Sequence, residues 1–204
     1  MTHRSDILES GPEQGSCWFV YLLSLSDCSA FKVGFSCNPL QRIYSFSHRY
    51  FERFDLRQSR LLQVSTLEDA RSIEATLKSE LAQFRADCPS WIPPDAGGHS
   101  EWFSAVYFGQ AHERLREFLE QRTGLALVDA RELIHGELHR LAQTFESWAW
   151  SQAQLVASAP PPLIADAARL LRDWLDAYRC FDIPLFVDDP ALQDFVRRSC
   201  ERGR

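Results

Sequence analysis

The chain has 204 residues, of which 22 are basic and 28 acidic, for a formal net charge of -6. Hydrophobic residues make up 45% and charged residues 25%, proportions that exclude a wholly disordered or collagen-like chain. The longest clean apolar run, Trp18 to Leu23, is six residues, against the roughly 20 a membrane-spanning helix needs.

Residues 1–16 are polar and lack the basic-then-apolar pattern of a signal peptide. The expectation is an N-terminal tail on a cytoplasmic protein with no membrane partner. The six cysteines show no CxxC or CxxxxC spacing. A zinc ribbon and a disulfide framework are therefore not expected, and the thiols read as small apolar residues. An acidic whole argues against nonspecific nucleic-acid binding over the entire surface. From Cys17 to Leu62, however, six basic residues (Lys32, Arg42, Arg49, Arg53, Arg57, Arg60) face three acidic ones. This segment reads either as a local basic surface or as a solvated mixed face.

Residues 17–25 are aromatic and β-branched enough for a buried strand. Asp27 to Ala30 is a turn, and residues 31–35 (FKVGF) complete a hairpin. Asn38, Pro39 and Gln41 form a helix start, with Asn38 as cap and Pro39 in the first turn. That helix runs to about Arg49 and places Arg42, Phe46, Arg49 and Arg53 on one face. Residues 59–65 read as a third strand. Thr66 opens a longer helix with Leu67, Ala70, Ile73, Leu77, Leu81 and Phe84 at helical spacing. A Pro- and Gly-rich loop covers 87–100, and residues 101–108 give a short final strand or extended segment.

From Gln110 the pattern is helical: one helix over 110–122, then one long helix or two shorter ones from about 126 to 157. Ala159 to Pro162 reads as a linker, Leu163 to Phe181 as an amphipathic helix, and Asp189-Pro190 as the start of a short last one. The spacing thus predicts an α/β domain over 17–122 and an all-α C-terminal region over 123–204.

Glu74 lies between Ala70 and Leu77 in the middle of an apolar stripe. A carboxylate there needs a cation, a hydrogen-bond network or a raised pKa. It reads as a metal ligand or catalytic acid, or as a snorkelling or ion-paired side chain. Lys32, one of two lysines against 20 arginines, sits within a short strand, either holding a phosphate as a point charge or facing outward. Arg42 suits bidentate phosphate contact. Tyr21 shares a strand face with Phe19 and Leu23. His135 and His139 stand one helical turn apart, but Gly136 occupies the place of the metalloprotease glutamate, so both are expected to face solvent. No GxxxxGK[ST], GxGxxG or GxSxG pattern occurs, which removes the sequence basis for P-loop, dinucleotide-binding and α/β-hydrolase chemistry.

In order along the chain, FVYLL at 19–23, FKVG at 31–34, NPLQR at 38–42, IEATL at 73–77 and EWF at 101–103 resemble the GIY-YIG nuclease superfamily. Within it they resemble the phage T5 Orf172-like domains, over about residues 17–108. The resemblance implies a small three-stranded sheet flanked by helices. It implies a metal-dependent endonuclease that hydrolyses phosphodiester bonds in DNA, with RNA as a further substrate left open. It makes Glu74 the ligand of a single divalent metal ion, magnesium or manganese. It makes Arg42 the phosphate clamp and Tyr21 the base or water-positioning group. Lys32 stands at the second motif's tyrosine position and Phe19 at the first motif's glycine. Gly34 permits close approach of substrate, and His48, Arg49 and Arg53 line the substrate side. Two other readings stand beside this one. One is an inactive nucleic-acid-binding module of the same fold. The other is an interaction protein whose C-terminal helices, with Trp148, Trp150 and Trp174, form a homodimer or hold a protein partner.

Overall fold

The computed structural model describes residues 17–158, 161–185 and 190. The described residues fall into two compact units, one running up to Ile134 and a second from His135 onward. The expected tail over 1–16 and the short helix expected from Asp189 lie outside the described residues.

The first unit is built on β1 (Trp18–Ser24), β2 (Ala30–Ser36), β3 (Arg60–Val64), β4 (Trp102–Ser104) and β5 (Ala126–Asp129). They form one antiparallel sheet in the order β4-β2-β1-β3-β5. This corrects the expectation of a small three-stranded sheet. The central hairpin and β3 are joined by β4 along β2, with Phe31 opposite Phe103, and by β5 along β3, with Leu62 opposite Leu127. The segment from about 126 was expected to open the long helix, or the first of two, read over 126–157. In the structure Gly124 turns the chain at φ 80°, and Leu125 and Leu127, two residues apart, pack on the core. Period-two burial against an otherwise open edge of β3 outweighs helix propensity.

The helices of this unit are α1 (Pro39–Phe46), α2 (Tyr50–Arg53), α3 (Leu67–Glu80) and α4 (Phe108–Gln121). Asn38 caps α1 by accepting from the Gln41 N–H at 3.0 Å, with Pro39 in the first turn. The helix ends at Phe46, short of the expected Arg49, and the chain re-enters a single turn at α2. Thr66 caps α3 through the Asp69 N–H at 3.0 Å. One sheet face contributes Val20, Leu22, Phe31, Val33, Leu62 and Val64. It is covered by Ala70, Ile73 and Leu77 of α3 and by Phe108, Ala111, Leu115 and Phe118 of α4. Side chains alternate along a strand, so Tyr21, Leu23 and Lys32 point to the other face. There Arg42 and Phe46 of α1 meet them.

The second unit holds the remainder of α5 (Ala130–Ser158) and α6 (Pro161–Cys180). Asp129 caps α5, accepting from the Arg131 and Glu132 N–H groups at 2.8 and 3.1 Å. Residues 130–158 are one helix, and Pro161 and Pro162 of the expected linker sit in the first turn of α6, where a missing N–H costs nothing. Phe145 packs on Trp148, Trp174 and Tyr178, with centroids 5.7, 5.9 and 4.8 Å away. Trp174 is therefore core, while Trp150 is exposed. His135 and His139 are exposed. No described helix is long and apolar enough to cross a membrane.

Leu62 is fully buried between the sheet and its helices. Leu62→Ala is expected to destabilise this unit by about 2–5 kcal/mol, read as a fall in the urea midpoint. A loss below about 1 kcal/mol, the scale of a surface change, would contradict that placement.

Candidate functional site

Tyr21 and Gly34 are directly opposed in the β1–β2 register. The Tyr21 ring lies across the glycine so closely that a Cβ at Gly34 would fall on the hydroxyl. A glycine in a strand interior here serves this close approach. Arg42, reaching from α1, donates from Nε to the Tyr21 hydroxyl at 3.4 Å and from Nη1 to the Ala96 carbonyl at 2.6 Å. Its guanidinium lies 4.4 Å from the centre of the Phe46 ring. The arginine is thereby fixed by an aromatic face, a phenol and a carbonyl of the 87–100 loop.

Lys32 is fully buried. Its ammonium donates to the Gly98 carbonyl at 2.5 Å and pairs with Glu101 Oε2 at 3.1 Å. The rings of Phe46 and Trp102 each lie 5.3 Å away. The lysine therefore does not face outward. Gly98 has φ 69°, and a Cβ there would meet both the Lys32 ammonium and the Glu101 carboxylate. Two features thus demand glycine at one position.

Glu74 comes from α3, on the opposite side of the sheet from Arg42, and is largely buried. Its Oε2 lies 3.3 Å from the Lys78 ammonium, which also pairs with Glu101 Oε1 at 3.1 Å. Glu101, just before the edge strand β4, therefore joins the α3 side of the site to the Lys32 side. The resulting chain of alternating charges runs Glu74, Lys78, Glu101, Lys32.

Burial pushes Glu74 above the usual carboxylate range, only partly offset by Lys78. Burial acts on Glu101 in the same sense, but Lys32 and Lys78 outweigh it and hold the carboxyl below the usual range. Burial draws Lys32 down, against the pull of Glu101. On Lys78 burial is outweighed by Glu101 and Glu74, which raise it. Burial also pushes Tyr21 up to about 12, despite the neighbouring Arg42. At neutral pH its hydroxyl stays protonated, able to donate and to orient but not to act as a resting base.

The remaining expected residues engage neighbours of their own. His48 stacks on Tyr44 with centroids 4.6 Å apart. Arg49 is paired with Glu52 at 2.5 Å. Arg53 lies over Trp91, 5.3 Å from the ring centre, and Trp91 in turn meets Phe54 edge-on.

Two charged groups of this network, Glu101 and Lys78, were not among the expected site residues. Lys78 follows Glu74 by four positions, the spacing at which helical side chains meet, and that signal was legible. Among the described residues no group of three or more His, Cys, Asp or Glu side chains could hold a metal ion. Oxygens of Glu74 and Glu101 do converge on one cation, the Lys78 ammonium. Two hard carboxylate donors fit magnesium or manganese, which keep several waters and complete their shell with phosphate.

The Tyr21 proton has a stability consequence. The folded hydroxyl titrates near 12 against an ordinary 10.0, so between these values the native state binds more protons than the unfolded chain. This contribution is fully present below pH 10 and is lost as pH rises toward 12, by about 2–3 kcal/mol. Tyr21→Phe is expected to flatten the fall of urea midpoint with pH in that window relative to the unsubstituted chain. Parallel profiles for the two proteins would contradict the buried hydroxyl.

No curated protein and no solved structure gives a significant match to the chain. The family model for the T5orf172 domain matches residues 18–121, a stretch that holds Tyr21, Lys32, Gly34, Arg42, Glu74, Lys78 and Glu101. That match spans half of the sequence, and the chain belongs to the T5orf172 domain family.

Proposed function

We propose that residues 18–121 are a metal-dependent endonuclease domain of the GIY-YIG type, hydrolysing phosphodiester bonds in DNA. The observation that carries this reading is the convergence of Tyr21, Arg42 and Lys32 with the carboxylates of Glu74 and Glu101, drawn from both sides of one sheet. The resemblance of the five motifs to that superfamily supports it.

Arg42 binds a phosphate oxygen in the direction now taken by the Ala96 carbonyl. Its guanidinium is pre-aimed by Phe46 and Tyr21, so little orientation is lost on binding. Tyr21 keeps its proton and positions the attacking water. Lys32 holds Glu101 and the Gly98 carbonyl in place and adds positive charge under the phosphate. Glu74, with Glu101, holds a single magnesium or manganese ion. When bound, that ion supplies charge stabilisation at the phosphate and at the leaving oxygen. His48, Arg49 and Arg53 extend the DNA-facing side, and RNA is the second substrate to try.

One observation favours a second reading, a nucleic-acid-binding module without hydrolysis. The Glu74 carboxylate is already ion-paired, with Lys78, so a fixed pair would leave it no free valence for a metal.

A nicking assay on supercoiled plasmid and on single-stranded DNA, with magnesium or manganese, separates the two. Cleavage is expected from the unsubstituted protein and is expected to vanish in Glu74→Gln. Arg42→Ala is expected to slow it by about 10²–10³. Salt-sensitive DNA binding without cleavage would establish the binding module instead.

A further inference from the structure

The chain has 20 arginines and two lysines, and both lysines pair with the same glutamate, Glu101. They are not equivalent. Lys32 is fully enclosed, with Gly98 and two aromatic rings around its ammonium. The Lys78 side chain is 29% exposed, and its flexible stem starts from a helix surface that opens to solvent. It is the one of the two that can withdraw without leaving a charge buried.

We propose that Lys78 is an internal counter-cation: its ammonium occupies the place between Glu74 and Glu101 that a divalent metal ion takes, and metal entry displaces it. Glu101 is thereby the second carboxylate of the metal site. This rests on the metal-dependent reading above and adds to it a residue that regulates occupancy.

Three features carry the assignment. Oxygens from α3 and from the start of β4 meet at one nitrogen, 3.3 and 3.1 Å away. Two largely buried carboxylates this close repel each other unless a cation lies between them. An ammonium is a compact point charge that a metal ion can replace atom for atom, whereas a guanidinium fork needs a wider, planar space. In a chain that otherwise uses arginine, lysine stands where the exchangeable cation is needed.

The test is manganese binding to the full chain, followed by the loss of the free-ion signal in electron paramagnetic resonance. Lys78→Met is expected to tighten binding about ten-fold or more, and Glu101→Gln to weaken it by a similar factor, the scale on which groups around a metal alter affinity. Lys78→Gln serves as a second neutral variant, with circular dichroism confirming the fold of each. Arg71→Met, removing an exposed cation elsewhere on α3, is expected to leave affinity unchanged. Equal tightening in Arg71→Met would reduce the effect to net charge and overturn the proposal. Binding by the unsubstituted protein that is unchanged or weaker in both Lys78 variants would overturn it and leave the nuclease reading intact. No binding by the unsubstituted protein or by either Lys78 variant would overturn both.

Discussion

Glu101 is the group on which the rest of the site depends. Lys32 lies inside the protein, and an ammonium taken out of water without a counter-charge is expensive. Glu101 supplies that charge through one oxygen and engages Lys78 of α3 through the other. Its main-chain carbonyl meanwhile accepts from the Val33 N–H at 3.0 Å, so the backbone is pinned to β2 before the side chain is aimed. One carboxylate thus ties the edge of the sheet, its interior lysine and the helix on its far face. Gly98 has to be glycine because this ion pair fills the space a side chain would need.

The same arrangement sets the character of each titrating group. Glu74 and Glu101 are both partly shielded from water, yet burial dominates at Glu74 and cations dominate at Glu101. Carboxylates whose environments pull them apart are the usual mark of a division of labour. Tyr21 and Arg42 divide in another way. The arginine is held in one direction by its partners, and the phenol beside it stays protonated. Main-chain carbonyls of Ala96 and Gly98 stand against the two cations at 2.6 and 2.5 Å. Both are oxygen acceptors carrying partial negative charge, the kind of atom a phosphate would present in their place.

The central hairpin, the capped helices α1 and α3, and the inward position of Glu74 were legible because each has a local cause. Asn38 and Thr66 cap, Pro39 opens a first turn, and Glu74 falls within a stripe of period 3.6. The edge strands were unequal in this respect. β4, with Trp102 and Phe103, was legible as a short final strand or extended segment, whereas β5 (Ala126–Asp129) was read as the start of a helix. Each exists because β2 or β3 offers an unpaired edge, which is a tertiary fact. Site residues followed the same division. Tyr21, Lys32, Arg42 and Glu74 sit in recognisable local patterns. Glu101 matters through partners far away in sequence, and the carbonyls of Ala96 and Gly98 have no side-chain signal at all. The charge of Arg49 looked available along the helix face, but the neighbouring Glu52 takes it.

Two carboxylates that converge with no cation between them repel each other, and that repulsion works against the fold. Small metal-dependent domains that leave such repulsion uncompensated stay unfolded without the ion. Here the alternating run of Glu74, Lys78, Glu101 and Lys32 is neutral as written, two acids against two bases, so the site closes on itself from the chain's own charges. On the proposed reading, metal binding would be an exchange of one cation for another at Glu74 and Glu101. The proposed enzyme and the alternative binding module would share this geometry. They differ in whether the Lys78 ammonium yields its place, an equilibrium set by how firmly Glu74 and Glu101 hold it.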